Sequence, residues 1–123
     1  MATGKAQESS PDTGPEPVPY VVRVRGDMDL GHKERLRASF AEALAQAPAG
    51  SDIVVDLWNS SFCDSAGLST LLTARTKALE EGHRLVLASP GHQMIRLLEL
   101  TRAEDLFRYL PSTADVAPEE GPS

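Results

Sequence analysis

The chain has 123 residues and a formal net charge of −6, with 41% hydrophobic and 24% charged side chains. That is one ordinary globular domain, with no length for a second core. The sequence has no long apolar run to span a membrane, no apolar stretch of a secretory signal near its start and a single cysteine, and its acidity gives generic nucleic-acid binding no support. A reducing cytoplasm is the expected compartment.

Residues 1–19 set Lys5 against Glu8, Asp12 and Glu16 and hold four of the nine prolines. So few apolar side chains cannot offset the entropy of ordering, and a disordered acidic tail is predicted. Residues 111–123, with Asp115, Glu119 and Glu120, read as a second, mostly flexible acidic tail. The body between them, residues 20–110, is left nearly neutral at −1.

The body alternates strands and helices. Residues 20–26 set Val22 and Val24 against Arg23 and Arg25, the period of a strand with one wet face. Residues 32–47 place Leu36, Phe40, Ala43, Leu44 and Ala47 on one helical stripe, stopped by Pro48 and Gly50. Residues 51–58 contain Ile53, Val54 and Val55 in succession, as in a strand buried on both faces. A second helix over 66–81 carries Leu68, Leu71, Leu72, Arg75 and Leu79 and ends at Gly82. Residues 84–88 form a short apolar strand. A third helix runs from Pro90-Gly91 to about Leu100 with Met94, Leu97 and Leu98 inward, and residues 106–110 supply a last edge strand. The order β-α-β-α-β-α-β predicts a single α/β domain, mainly parallel, with helices covering a mixed sheet.

The usual phosphate-loop, dinucleotide, serine-hydrolase and zinc-protease motifs are absent from the sequence. His32, His83 and His92 have no ligand spacing, and Cys63 reads as a small buried packing residue. No catalytic residue, metal site or cofactor is assigned. The basic residues Arg23, Arg25, Lys33, Arg35 and Arg37 alternate on a strand and circle a helix start, so no single patch is expected. Trp58 is expected in the core, and Met28 and Leu30 as packed loop anchors.

One stretch stands out: Phe62-Cys63-Asp64-Ser65-Ala66-Gly67-Leu68, where a buried strand leaves the sheet and a helix begins. Ligands and partners bind at this edge of open α/β sheets. Asp64 or Ser65 would cap the helix, and Gly67 would allow close packing. Alternatively, Ser65 presents its hydroxyl at a helix N-terminus, where backbone N–H groups would receive a phosphate. Asp27 and Asp29 are expected on the same edge as Asp64. Ser69 and Thr73 lie off the leucine stripe, either as a solvated face or as an extension of that docking surface.

GDMDL (26–30), VVDLWNSSFCDSAG (54–67), LEEGHRLVLAS (79–89) and IRLLELTRAEDLF (95–107) together resemble the STAS domain, and more narrowly the bacterial anti-sigma factor antagonists. The resemblance covers about residues 20–110. It implies that Ser65, preceded by Asp64, is the phosphorylated residue, with Asp27, Asp29, Asp64, Ser65, Ala66, Gly67 and Ser69 at the partner interface. The implied partner is an anti-sigma factor that is also a serine kinase and holds the ATP. The unphosphorylated antagonist binds it and frees a sigma factor, and a serine phosphatase resets the phosphoprotein. No direct nucleic-acid or membrane contact is implied, and the free protein is expected to be a monomer.

The chain departs from the family pattern in three places. Ala66 stands where many members have a second Ser or Thr, residues 11–19 make a poor first strand, and Pro118 and Gly121 interrupt the usual last helix. Two other roles remain: a STAS scaffold in a sensor or transport complex, with Ser65 as a cap, and a small hydrolase using Ser65, for which no base is adjacent.

Overall fold

The computed structural model describes residues 17–111. Of the two acidic segments predicted as tails, 1–19 and 111–123, residues 1–16 and 112–123 lie outside the described residues. Four strands and three helices follow in the predicted order: β1 (Tyr20–Arg25), α1 (Lys33–Gln46), β2 (Ile53–Asn59), α2 (Ser65–Glu80), β3 (Leu85–Ala88), α3 (His92–Leu100) and β4 (Arg108–Leu110). Short 3-10 turns at Leu30–His32 and Glu104–Leu106 introduce α1 and β4.

The sheet order is β1-β2-β3-β4, and every pairing is parallel. The sheet expected to be mixed is therefore wholly parallel among the described residues. Each connection is a helical crossover, which allows no hairpin between neighbours. Right-handed crossovers that always step to the next strand return on the same side, so the helices share one face. Leu36, Phe40 and Ala43 of α1, Leu68, Leu71 and Ala74 of α2, and Met94 and Leu98 of α3 form one core with Val22, Val24, Ile53, Val55, Leu57, Leu85 and Leu87. The alternate residues Val54, Val86 and Ala88 form a smaller cluster on the opposite face, flanked by Val21 and Leu110. This two-sided burial explains the unbroken apolar run in β2.

Three packing expectations are corrected. Leu79 is 48% exposed, and Ala78 takes the buried place at the end of α2. The drift of a 3.6-residue helix moves the stripe by one position over its length. Trp58, expected in the core, is 76% exposed. It shares a strand face with Val54 and Asp56, but sits where β2 runs out beyond the cluster on that face. Leu30, expected to pack, is 68% exposed, whereas Met28 is fully buried as a loop anchor. Among the described residues no helix is long and apolar enough to cross a membrane.

Candidate functional site

Past the end of the paired strands, two loops continue the parallel pattern. The Met28 N–H donates to the Phe62 carbonyl at 2.8 Å, and the Asp64 N–H donates to the Met28 carbonyl at 3.0 Å. On the other side of the same loop, Gln93 at the start of α3 acts as a surrogate strand. Its Oε1 accepts the Cys63 N–H at 2.7 Å, and its Nε2 donates to the Cys63 carbonyl at 2.8 Å. Residues 62–64 are thus gripped from both sides, and α2 starts from a fixed point.

Gly67 completes this arrangement. A Cβ at position 67 would lie 2.0 Å from the Met28 carbonyl oxygen and 2.6 Å from its carbon. No side chain fits there, so glycine lets the Met28 loop lie directly against the first turn of α2. Gly26, at φ +88°, turns the chain out of β1 toward that loop.

Asp64 is the N-cap of α2, in extended conformation. One carboxylate oxygen accepts the Gly67 N–H at 2.9 Å, and the other accepts the Leu30 N–H at 3.1 Å. The Gly67 N–H, reinforced by those of Leu30 and Ala66, holds the Asp64 carboxyl below its ordinary pKa. Ser65 is the first residue of α2 and is exposed. The cap alternative is thereby settled for Asp64, and Ser65 is not the cap. Of the backbone N–H groups at this helix start expected to receive a phosphate, that of Gly67 is already taken by this carboxylate. Cys63 is buried, and its thiol is pushed up to about 12 by burial and then by the Asp64 charge, so it is not a poised nucleophile.

The remaining site residues divide into two groups. Asp29 holds the Leu30–His32 turn, accepting the His32 N–H at 3.1 Å and meeting His32 Nδ1 at 2.6 Å. It precedes Leu30, whose N–H reaches Asp64, and so belongs beside the capped helix. Ser69 and Thr73 are exposed and line a shallow groove of about 390 Å³ with Ser65, Leu72 and Thr101. Ala66 is partly buried in the first turn. Asp27 instead lines a separate cleft with Arg23, Arg25 and Arg35. Three of the five basic residues expected to scatter therefore share one cleft, because α1 brings Arg35 alongside β1. Lys33 and Arg37 face the groove between α1 and α2. The histidines occupy different places: His83 is buried with Nδ1 2.8 Å from the Ser51 carbonyl, and His92 opens α3.

Sequence reasoning missed Gln93, which nothing local marks. It also missed the exposed apolar residues near Ser65: Leu30 and Phe62, the latter 45% exposed.

The family model described as Mlab, STAS domain matches residues 13–110. A STAS-domain containing protein of Pseudomonas aeruginosa (strain UCBPP-PA14) is 30% identical over 87 residues, covering 71% of this chain and 83% of that protein. An anti-sigma factor antagonist from Mycobacterium paratuberculosis has a similar structure, with TM-score 0.70 and 24% identity over 91% of this chain and 97% of that one. A sulfate transporter family protein from Wolinella succinogenes also matches in fold, with TM-score 0.67 and 15% identity over 83% of this chain and 84% of the other. Such structural likeness gives the fold alone. With the match spanning most of its length, and with the parallel sheet and the capped helix start described above, the chain belongs to the STAS domain family.

Proposed function

We propose that this protein is an anti-sigma factor antagonist switched by phosphorylation of Ser65. Unphosphorylated, it binds a kinase-type anti-sigma factor and so releases a sigma factor. The partner holds ATP; Ser65 Oγ takes the γ-phosphoryl group, ADP leaves and the hydroxyl proton is released. A serine phosphatase restores the hydroxyl. The protein is then a substrate and a switch, and needs no cofactor of its own.

The observation that carries this reading is the division of labour between Asp64 and Ser65. Asp64 caps α2, while Ser65 is exposed beside it. A phosphoryl group adds about −1.5 to −2 of charge. The Asp64 carboxylate already takes the Gly67 N–H at the helix start, so that new charge is only partly absorbed by the fold and stands at the surface. Leu30 and Phe62, exposed nearby, offer apolar contact to a partner that would then meet a dianion. The fold shared with an anti-sigma factor antagonist supports the same reading.

A second reading is favoured by the fold shared with a sulfate transporter family protein: a STAS module docked in a transport or sensor complex, without a switch at Ser65. Paired capture from host lysate separates the two. Wild type and Ser65→Ala are expected to retain an ATP-binding, kinase-type anti-sigma factor, and Ser65→Glu to lose it by about tenfold or more. Retention of the same partners by all three baits would reject the switch.

A further inference from the structure

We propose that Gln93 is a positioning residue for phosphoryl transfer to Ser65. From a different helix, it fixes the backbone that carries the serine. The inference rests on the switch proposed above.

Two successive peptide planes precede the cap of α2, and each is pinned at both ends. In the plane joining Phe62 to Cys63, the Phe62 carbonyl accepts the Met28 N–H at 2.8 Å, and the Cys63 N–H donates to Gln93 Oε1 at 2.7 Å. In the plane joining Cys63 to Asp64, the Cys63 carbonyl accepts from Gln93 Nε2 at 2.8 Å, and the Asp64 N–H donates to the Met28 carbonyl at 3.0 Å. A peptide plane is rigid, so holding both planes fixes the two torsions of Cys63 between them. Asp64 then caps α2 through the Gly67 N–H, and Ser65 follows as the first helical residue. The direction in which the serine leaves the backbone is thus set by four hydrogen bonds before the cap, two of them from one side chain.

The Gln93 amide does not cap its own helix. Gln93 is the second residue of α3, and the N-cap of α3, Gly91, makes no side-chain cap bond. Both ends of the amide are used thirty residues away, on Cys63. Only one orientation satisfies both bonds, since Oε1 must accept and Nε2 must donate. The neighbouring strand does not reach this loop: β3 ends at Ala88, which pairs with Asp56. Without Gln93 the Cys63 N–H and carbonyl would lose their partners, and both planes would be free at that edge.

Phosphoryl transfer is sensitive to such a loss. Ser65 Oγ bonds to the γ-phosphorus of ATP held by the partner, the bond from that phosphorus to the β,γ-bridging oxygen breaks, ADP leaves, and the hydroxyl proton is released to solvent. Attacking and leaving oxygens lie roughly in line, so catalysis is mainly positioning, and a displacement of about 1 Å can cost about a hundredfold. Ser65 is exposed, so the backbone beneath it is the part the fold can hold. A clamp that served stability alone would leave the transfer rate of the folded protein unchanged.

The test uses the full chain, the kinase retained by wild type in the capture above, and radiolabelled ATP. Initial rates are measured against chain concentration at a temperature where melts show every variant folded, with Ser65→Ala marking the site. Gln93→Leu removes both bonds at similar size. Its kcat should fall about tenfold or more while KM stays within about twofold, and its Cys63 amide should exchange with solvent about tenfold faster or more. Gln93→Asn keeps the amide but is one methylene too short, and should show the same split if Gln93→Leu does not fold. Phe40→Leu, in the core on α1, should lower the Tm yet keep kcat within about twofold. Equal kcat in wild type and the Gln93 variants, a rise in KM alone, an unchanged Cys63 exchange rate, or an equal loss of kcat in Phe40→Leu overturns the inference and leaves the Ser65 switch standing. Failure to capture such a kinase, or of wild type to be phosphorylated on Ser65, rejects the switch and the inference with it.

Discussion

The start of α2 and the cleft beside β1 are both charged surfaces of one small domain, yet they are built in opposite ways. At α2 the charge is locked into the backbone: Asp64 holds two N–H groups, Gly67 admits the Met28 loop, and Gln93 grips the far side of residues 62–64. At the cleft the charges are side chains on long stems, and of its three arginines only Arg23 has a carboxylate partner among the described residues. On the function proposed above, a phosphoryl group on Ser65 would meet surroundings that these contacts hold in place. The second is held by exposed side chains whose charges solvent and salt can screen. Mutations should therefore disturb folding at α2 and leave folding largely intact at the cleft.

The largest expected effect tests the locked side. Gly67→Ala places a Cβ against the Met28 backbone, which no rotamer change relieves. Thermal unfolding should show a loss of about 3 kcal/mol or more, beyond ordinary overpacking because the obstacle is main chain. Arg25→Glu/Arg35→Glu should shift the same melt by about 1 kcal/mol or less. A Gly67→Ala protein that melts like wild type would show that the Met28 loop moves freely, and the contrast between the two surfaces would fail.

Asp64 gives the next effect, with a pH signature. Asp64→Ala removes acceptors from both the Gly67 and Leu30 N–H groups, and the Tm should fall by about 4–8 °C at pH 7. Asp64→Asn should fall less, since one acceptor remains. The folded-state pKa of Asp64 lies below its ordinary value. Its ionised form therefore contributes stability above the unfolded pKa of about 3.9, and this is lost as pH falls through the lower folded value. Melts taken from pH 7 down to about 2.5 should show the gap between wild type and Asp64→Ala narrowing over that acid range. A gap constant across it would mean that the carboxylate charge is not what caps α2.

These contrasts track what could be read in the sequence. The Asp-Ser-x-Gly start of α2 was legible because cap, helix and close-packed glycine fall within four consecutive residues. The strand and helix order was legible from period and β-branching, as in Ile53-Val54-Val55. The cleft was not, because Arg35 meets Arg23 and Arg25 only after the crossover has laid α1 along β1. Gln93 was hidden for the same reason, being thirty residues from the Cys63 backbone it holds. Trp58 was misplaced because apolar character stands for burial only while a neighbouring element covers the strand, and β2 outruns the cluster on that face. Leu79 and Ala78 exchanged places through helical drift, a displacement too small for a leucine pattern to register.

The smallest expected effect is the most discriminating for Ser65. If Ser65 capped α2, Ser65→Ala would cost about 0.5–2 kcal/mol. Asp64 occupies that role, and Ser65 is an exposed first-turn residue where alanine is an excellent helix former. Ser65→Ala should therefore melt within about 0.5 kcal/mol of wild type. A null effect on stability joined to loss of phosphorylation would separate the hydroxyl as a chemical group from the hydroxyl as a structural one. A loss of cap size would instead return Ser65 to the fold, and the charge-locked start of α2 would then depend on two side chains where one carboxylate is expected to suffice.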